Sequence, residues 1–138
     1  ANYVAVTIAH ELGHYLGLRH VFSENETGTE CIDSDLCEDT PTYNKTAYNN
    51  LVNSIGAAGL LEHLDVLIMR EDCVRGTEYK STNIMDYAVS YSNTFTANQR
   101  ERVRYILEKG AFVPGPKNRE ISNSTRTGSG ELPHHVME

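Results

Sequence analysis

Residues 10–20 read HELGHYLGLRH, and the spacing within this stretch decides how the rest of the chain is read. On a helix, His10 and His14 lie one turn plus a little apart, so both imidazoles project from the same face. Two ring nitrogens about 6 Å apart along the axis can grip one zinc ion. Glu11, roughly 100° around the helix from His10, brings a carboxylate within reach of a water on that ion instead of the ion itself. Gly17 lets the chain leave the helix sharply, in a left-handed conformation that a residue with a side chain resists. That turn brings His20 back as a third ligand. Three neutral nitrogens leave a fourth position open for water, which marks a catalytic site instead of a structural one.

Two histidines alone could be surface residues of an amphipathic helix. All five fixed positions of HExxHxxGxxH arise by accident in a chain this long on the order of once in a hundred thousand. The chemistry expected of such a site is hydrolysis of a peptide bond. The zinc acidifies a water and polarises the substrate carbonyl, while Glu11 takes the water's proton and returns it to the leaving amine.

Outward from this motif, Val4, Ile8, Leu12, Tyr15 and Leu16 recur at helical spacing and predict a helix over residues 2–17. Residues 21–45, rich in Asp, Glu, Thr and Asn, read as irregular loop punctuated by Pro41. Residues 48–70 look helical, in two pieces broken near Gly56 or Gly59, and residues 74–94 read as loop and turn. A last helix starts after Thr96, with Gln99 completing a capping box and Val103, Ile106 and Leu107 forming its apolar stripe. The expected organisation is one catalytic-domain segment over residues 1–112 and a poorly ordered tail or linker over 113–138.

Composition excludes several partners. With 19 acidic and 12 basic residues among 138 the net charge is −7, which disfavours nucleic acid and anionic membrane surfaces. There is no apolar run long enough to span a bilayer. The three Asn-x-Ser/Thr sites at Asn25, Asn44 and Asn123, where chance supplies about two, indicate nothing about glycosylation, and the pair His134–His135 reads as incidental.

The HELGHYLGLRH stretch resembles the zinc signature of the metzincin peptidases. Metzincins also carry a methionine turn beneath the metal. NIMDY, Asn83 to Tyr87, resembles it, so Met85 would be the apolar floor under the imidazoles. Tyr87 resembles the tyrosine that some metzincins place beside the zinc, where its phenol could donate to the oxyanion of the tetrahedral intermediate. Within metzincins the chain is most similar to the pappalysin (ulilysin-like) family over about residues 4–108. That likeness rests on a cysteine after the last His, then Asp39-Thr40-Pro41, then the methionine turn, then Phe95-Thr96-x-x-Gln99. Two features depart from the family: no cysteine follows the methionine turn, and the stretch after Tyr87, AVSYSN, lacks the acidic residue of the arginine-preferring members.

Between Cys31 and Pro41 the loop CIDSDLCEDTP crowds carboxylates into irregular chain, as calcium sites do. The resemblance points to Asp35 and Thr40 as possible calcium ligands, with Asp33 or Asp39 beside them. It also implies a Cys31–Cys73 disulfide, with Cys37 left over. A Cys31–Cys37 bridge is the alternative.

The resulting expectation is an α+β fold: the C-terminal half of a metzincin (zincin-like) catalytic domain, mostly helices and irregular loops, its N-terminal sheet missing from these residues. An upstream sheet subdomain is expected to complete the cleft for a protein or peptide substrate. The setting would be secreted or cell-surface. The competing readings are a secreted zinc-binding module without peptidase activity, which the intact Glu11 disfavours, and a structural zinc or calcium module in adhesion.

Overall fold

The computed structural model describes residues 3–24, 31–87 and 89–115. The architecture is mixed α and β. Helices α1 (Tyr3–Tyr15), α2 (Lys45–Ile55), α3 (Leu64–Leu67) and α4 (Ala97–Lys109) are joined by long loops, a 3-10 turn at Ala57–Gly59, and one small sheet. That sheet pairs β1 (Met69–Glu71) with β2 (Glu78–Lys80) in antiparallel register, Arg70 opposite Tyr79.

α1 ends as the sequence implies. Gly17 has φ 84°, the Leu18 amide donates to Gly13 O at 2.9 Å, and the Gly17 amide donates to His14 O at 2.9 Å. This bond pair is a Schellman motif, and it turns the chain back toward the helix it has just left. α4 carries the expected capping box between Thr96 and Gln99. Of its stripe, Ile106 is buried and Val103 half-buried, while Leu107 stays exposed.

The middle of the chain departs from expectation. α2 begins at Lys45, because the Asn44 side chain accepts from the Ala47 amide at 2.9 Å and caps it, and it stops at Gly56, whose φ is 75°. Helix does not continue to residue 70: α3 closes at Leu67 and Met69–Glu71 is a strand. The hairpin that follows is built by Asp72, whose carboxylate accepts from the Val74 and Arg75 amides at 2.9 and 3.0 Å. Gly76 completes the turn at φ 73°. Residues 78–80, read as loop from sequence, are thereby held as β2.

Two apolar clusters hold these pieces together. Phe22, Tyr43, Tyr48 and Leu67 form one, flanked by Val52, Ile55, Leu60 and Val89. Leu18, Val21 and Met85 form the other, against Val103 of α4. A disulfide joins Cys31 to Cys73 across 42 residues, and Cys37 is free and buried. By loop-closure entropy a bridge of that span contributes ~4 kcal/mol. The outer stripe of α1 is bare, with Val4, Ile8 and Leu12 exposed at 60%, 54% and 52%. Val113, the first residue of the expected tail, is buried; residues 116–138, His134 and His135 among them, lie outside the described residues.

Candidate metal centre

His10 and His14 come from successive turns of α1 and His20 from the segment that the Schellman turn sends back. Their Nε2 atoms lie 3.0, 3.1 and 3.2 Å from one another. The opposite ring nitrogens are all committed elsewhere. His10 Nδ1 donates to Ile84 O at 2.7 Å, His14 Nδ1 to Leu18 O at 2.9 Å, and His20 Nδ1 to the Glu24 carboxylate. A carbonyl oxygen can only accept, so the Nδ1 atoms of His10 and His14 carry the protons and the facing Nε2 atoms keep bare lone pairs. Burial lowers the His20 pKa below its usual value, against the raising pull of Glu24. Neutral rings whose lone pairs converge repel each other unless a cation lies between them. Two nitrogens on one tetrahedral ion with bonds of about 2.0–2.1 Å stand about 3.3 Å apart, so the observed spacing fits a single such cation. Among the described residues no other group of three or more His, Cys, Asp or Glu side chains is placed to hold a metal.

Glu11, Tyr87 and Met85 surround this centre. Glu11 and His10 line a cleft of about 500 Å³ that extends past Ile84, Asp86 and Tyr87 toward Val89. The Tyr87 ring centroid is 4.6 Å from that of His20 and 5.3 Å from that of His10. Met85 has no exposed surface. It packs with Leu18 and Val21, and its carbonyl accepts from the Val21 amide at 3.3 Å, one residue past His20.

The methionine turn is pinned from two sides that sequence reading did not find. Asn83 and Gln99 exchange amide hydrogen bonds at 2.8 and 3.1 Å, and Asn83 Oδ1 also accepts from the Met85 amide at 2.9 Å. Gln99 therefore clamps the turn as well as capping α4. On the other side the buried Asp86 accepts from Tyr43 Oη, Ser81 Oγ and the Tyr87 amide at 2.5, 2.5 and 2.7 Å. Its second oxygen faces the buried Arg70 guanidinium at 3.5 Å. Burial, reinforced by the Asp86 charge, pushes the Tyr43 phenol far up, so it remains a donor.

The acidic loop is organised differently. Asp35 and Thr40 are both buried and bonded to each other, and Asp35 also accepts from the Cys37 amide at 2.9 Å. Burial, only partly offset by these bonds, pushes Asp35 up to about 6. Asp39 points elsewhere: it accepts from the Asn98 amide at 3.0 Å at the start of α4. Burial opposes its charge, yet hydrogen bonds from Thr96 and Asn98 hold its pKa below the usual carboxylate value. Asp33, Asp35 and Asp39 do not form a second metal-holding group. Cys31 is bonded to Cys73.

Residues 1–108 match the peptidase family described as pregnancy-associated plasma protein-A. The chain belongs to that family. The pregnancy-associated plasma protein-A match begins at the helix bearing the three histidines' first two members and ends within α4. The chain is also similar to proteins named extracellular metalloprotease. One from Arthroderma otae is 35% identical over 98 residues, 70% of this chain and 29% of the relative. One from Arthroderma benhamiae is 34% identical over the same length and shares. A second from Arthroderma benhamiae is 30% identical over 114 residues, 82% of this chain and 32% of the relative. The chain thus spans about a third of the length of the curated relatives it matches. No solved structure matches. The chain thus combines a cluster of three histidines placed to hold a metal with a match to a peptidase family, and no helix among its described residues is long and apolar enough to cross a membrane.

Proposed function

We propose that the chain carries the catalytic part of a zinc-dependent metalloendopeptidase of metzincin type, working outside the cytoplasm. The observation that carries this reading is the convergence of the three unprotonated Nε2 atoms of His10, His14 and His20, each ring fixed by its own Nδ1 bond. A nitrogen-only, three-ligand set with an open fourth position suits zinc in a catalytic role. When bound, zinc would acidify a water and polarise the scissile carbonyl. Glu11, at the edge of the cleft, accepts the proton of the attacking water and delivers it to the leaving amine. The Tyr87 phenol donates to the oxyanion of the tetrahedral intermediate. Met85, packed beneath the backbone of α1, supports the histidines without touching substrate.

The bare apolar stripe of Val4, Ile8 and Leu12 and the greater length of the relatives support a further proposal. Chain beyond residues 1–138 covers α1 and supplies the wall against which an extended peptide is held. The Cys31–Cys73 bridge and the relatives named extracellular support an oxidising, exported setting.

The test is peptide hydrolysis by the zinc-loaded protein, repeated after chelation, after zinc is restored, and for Glu11→Ala. Chelation should abolish cleavage and zinc should restore it. Glu11→Ala should keep the metal and lose about 10²–10⁴ in rate. Cleavage by Glu11→Ala at the parent rate would remove Glu11 from this role, and a parent protein that binds no zinc would overturn the whole reading.

A further inference from the structure

Lys45 opens α2, and its side chain reaches back to the histidine cluster. The ammonium nitrogen lies 4.0 Å from the centroid of the Phe22 ring and 4.6 Å from that of Tyr87. Both rings touch His20: Phe22 is stacked on it at 4.6 Å and Tyr87 is tilted against it at 4.6 Å. A positive charge is thus held one aromatic ring away from a metal ligand, in a chain whose net charge is −7.

Among the described residues nothing neutralises that charge. Among the described residues no carboxylate pairs with Lys45, the ion pairs there being His20–Glu24, Arg70–Asp86 and Arg75–Asp72. Its three N–H donors meet no protein acceptor there either, although the residue is half-buried. Helix stability does not explain a lysine here, since a cation at the first position of α2 opposes the helix dipole. The ring faces of Phe22 and Tyr87 attract and orient the ammonium, yet they leave its hydrogen-bonding capacity unused. Lys45 does not line the cleft of Glu11 and Val89, so Tyr87 borders the cleft on one side and the lysine on another.

We propose that Lys45 is a specificity-determining residue: it receives a carboxylate of the peptide substrate, the side chain of a Glu or Asp close to the scissile bond. An extended peptide advances about 3.3–3.6 Å per residue. An ammonium one ring removed from His20 therefore falls beside a residue one to three places from the bond that is cut. The rings hold the ammonium in place before substrate arrives, so little side-chain freedom is lost on binding. This inference rests on the peptidase reading above for its substrate.

The experiment walks a single Glu through the three positions on either side of the scissile bond, with Gln at the same positions as the neutral twin. It compares the parent full-length zinc-loaded protein with Lys45→Met, Lys45→Glu and Lys45→Arg. kcat/KM is measured for cleavage. In parallel, the affinity of fluorescent versions of the same peptides is measured on the Glu11→Ala background, so the result does not depend on turnover. At one position the parent should favour Glu over Gln by about fivefold, with the preference shrinking as salt is raised. Lys45→Met should erase the preference while leaving Gln peptides within about twofold, Lys45→Arg should retain it, and Lys45→Glu should turn it toward Lys peptides. Equal losses on Glu and Gln peptides would make Lys45 a support for Phe22 and Tyr87 and overturn the proposal. So would a parent protein without any Glu preference in binding. A protein that binds Glu peptides preferentially through Lys45 but cleaves none would instead count against the peptidase reading alone.

Discussion

A Cβ on Gly13 would lie 2.5 Å from the sulfur of Met85, so the bare backbone of α1 rests directly on the methionine turn. Gly13 falls between the two helical histidines, in a position the HExxH pattern leaves free. Alanine is ordinarily worth ~1 kcal/mol over glycine inside a helix. Here the added methyl meets a methionine with no exposed surface, packed against Leu18, Val21 and Val103. Overpacking of this kind costs ~1–3 kcal/mol. Gly13→Ala should therefore lower the thermal midpoint despite its better helix propensity. A higher midpoint would show that Met85 gives way freely.

Glu24 accepts from His20 Nδ1 and holds that ring in the tautomer that presents Nε2 to the metal. Loss of such a partner typically weakens metal binding about 10–100-fold. Glu24→Gln, with competition against a zinc chelator as the readout, should show a weakening in that range, and the affinity lost should track His20 and not His14. Unchanged zinc affinity would mean that stacking on Phe22 at 4.6 Å is enough to orient His20.

Tyr87 is 59% exposed, more than a packing residue needs, and its ring lies against two of the three imidazoles. Replacing it with Phe keeps the ring contacts and removes the phenol. If the phenol donates chiefly in the transition state, kcat should fall while KM changes little. Equal kinetics for parent and Tyr87→Phe would leave the residue a platform for Lys45 and nothing more.

What the sequence disclosed was what local rules govern. α1, its stop at Gly17 and the capping box of α4 follow from periodicity and from residues within a turn of each other. The hairpin did not show, because Met69–Glu71 and Glu78–Lys80 are three residues each, too short for alternation to register. Asp72 and Gly76, which build the turn, are its signals in the sequence, but a turn alone does not say that the residues flanking it pair as strands. The early start of α2 was hidden in Asn44, a capping residue that also fits a glycosylation pattern. His10 and His14 were legible because the helix pitch dictates their spacing, and His20 because Gly17 marks the turn that brings it back. Glu24 and Lys45 were not, since their value depends on how loops return to His20.

Arg70 and Asp86 are the clearest case of a relation that only the fold creates. Asp86 lies between Met85 and Tyr87, and at 5% exposure it faces Arg70, whose guanidinium also donates to Leu67 O at 2.5 Å and Val89 O at 2.8 Å. The same guanidinium lies 3.9 Å from the Tyr48 ring centroid. A buried pair of this kind is weak evidence of net stability, but removing one partner leaves the other charged and dry, which costs ~3–5 kcal/mol. Asp86→Asn should therefore destabilise by that order although the side chain keeps its size. It also replaces Oδ2, which accepts from Ser81 and faces Arg70, by an amide nitrogen that cannot accept, and leaves the uncharged Oδ1 a weaker acceptor for Tyr43 and the Tyr87 amide. The damage should then reach the site: with the turn beside Tyr87 held more loosely, kcat should drop even at temperatures where the variant is fully folded. Arg70→Met should destabilise comparably, because it strands Asp86, but should disturb kcat less, since Arg70 holds Tyr87 only through Asp86. Thermal unfolding of the two single variants and the double variant measures the coupling directly. Strictly additive losses would show that the 3.5 Å pair carries no interaction of its own, and that the turn is held by Tyr43, Ser81 and Asn83 alone.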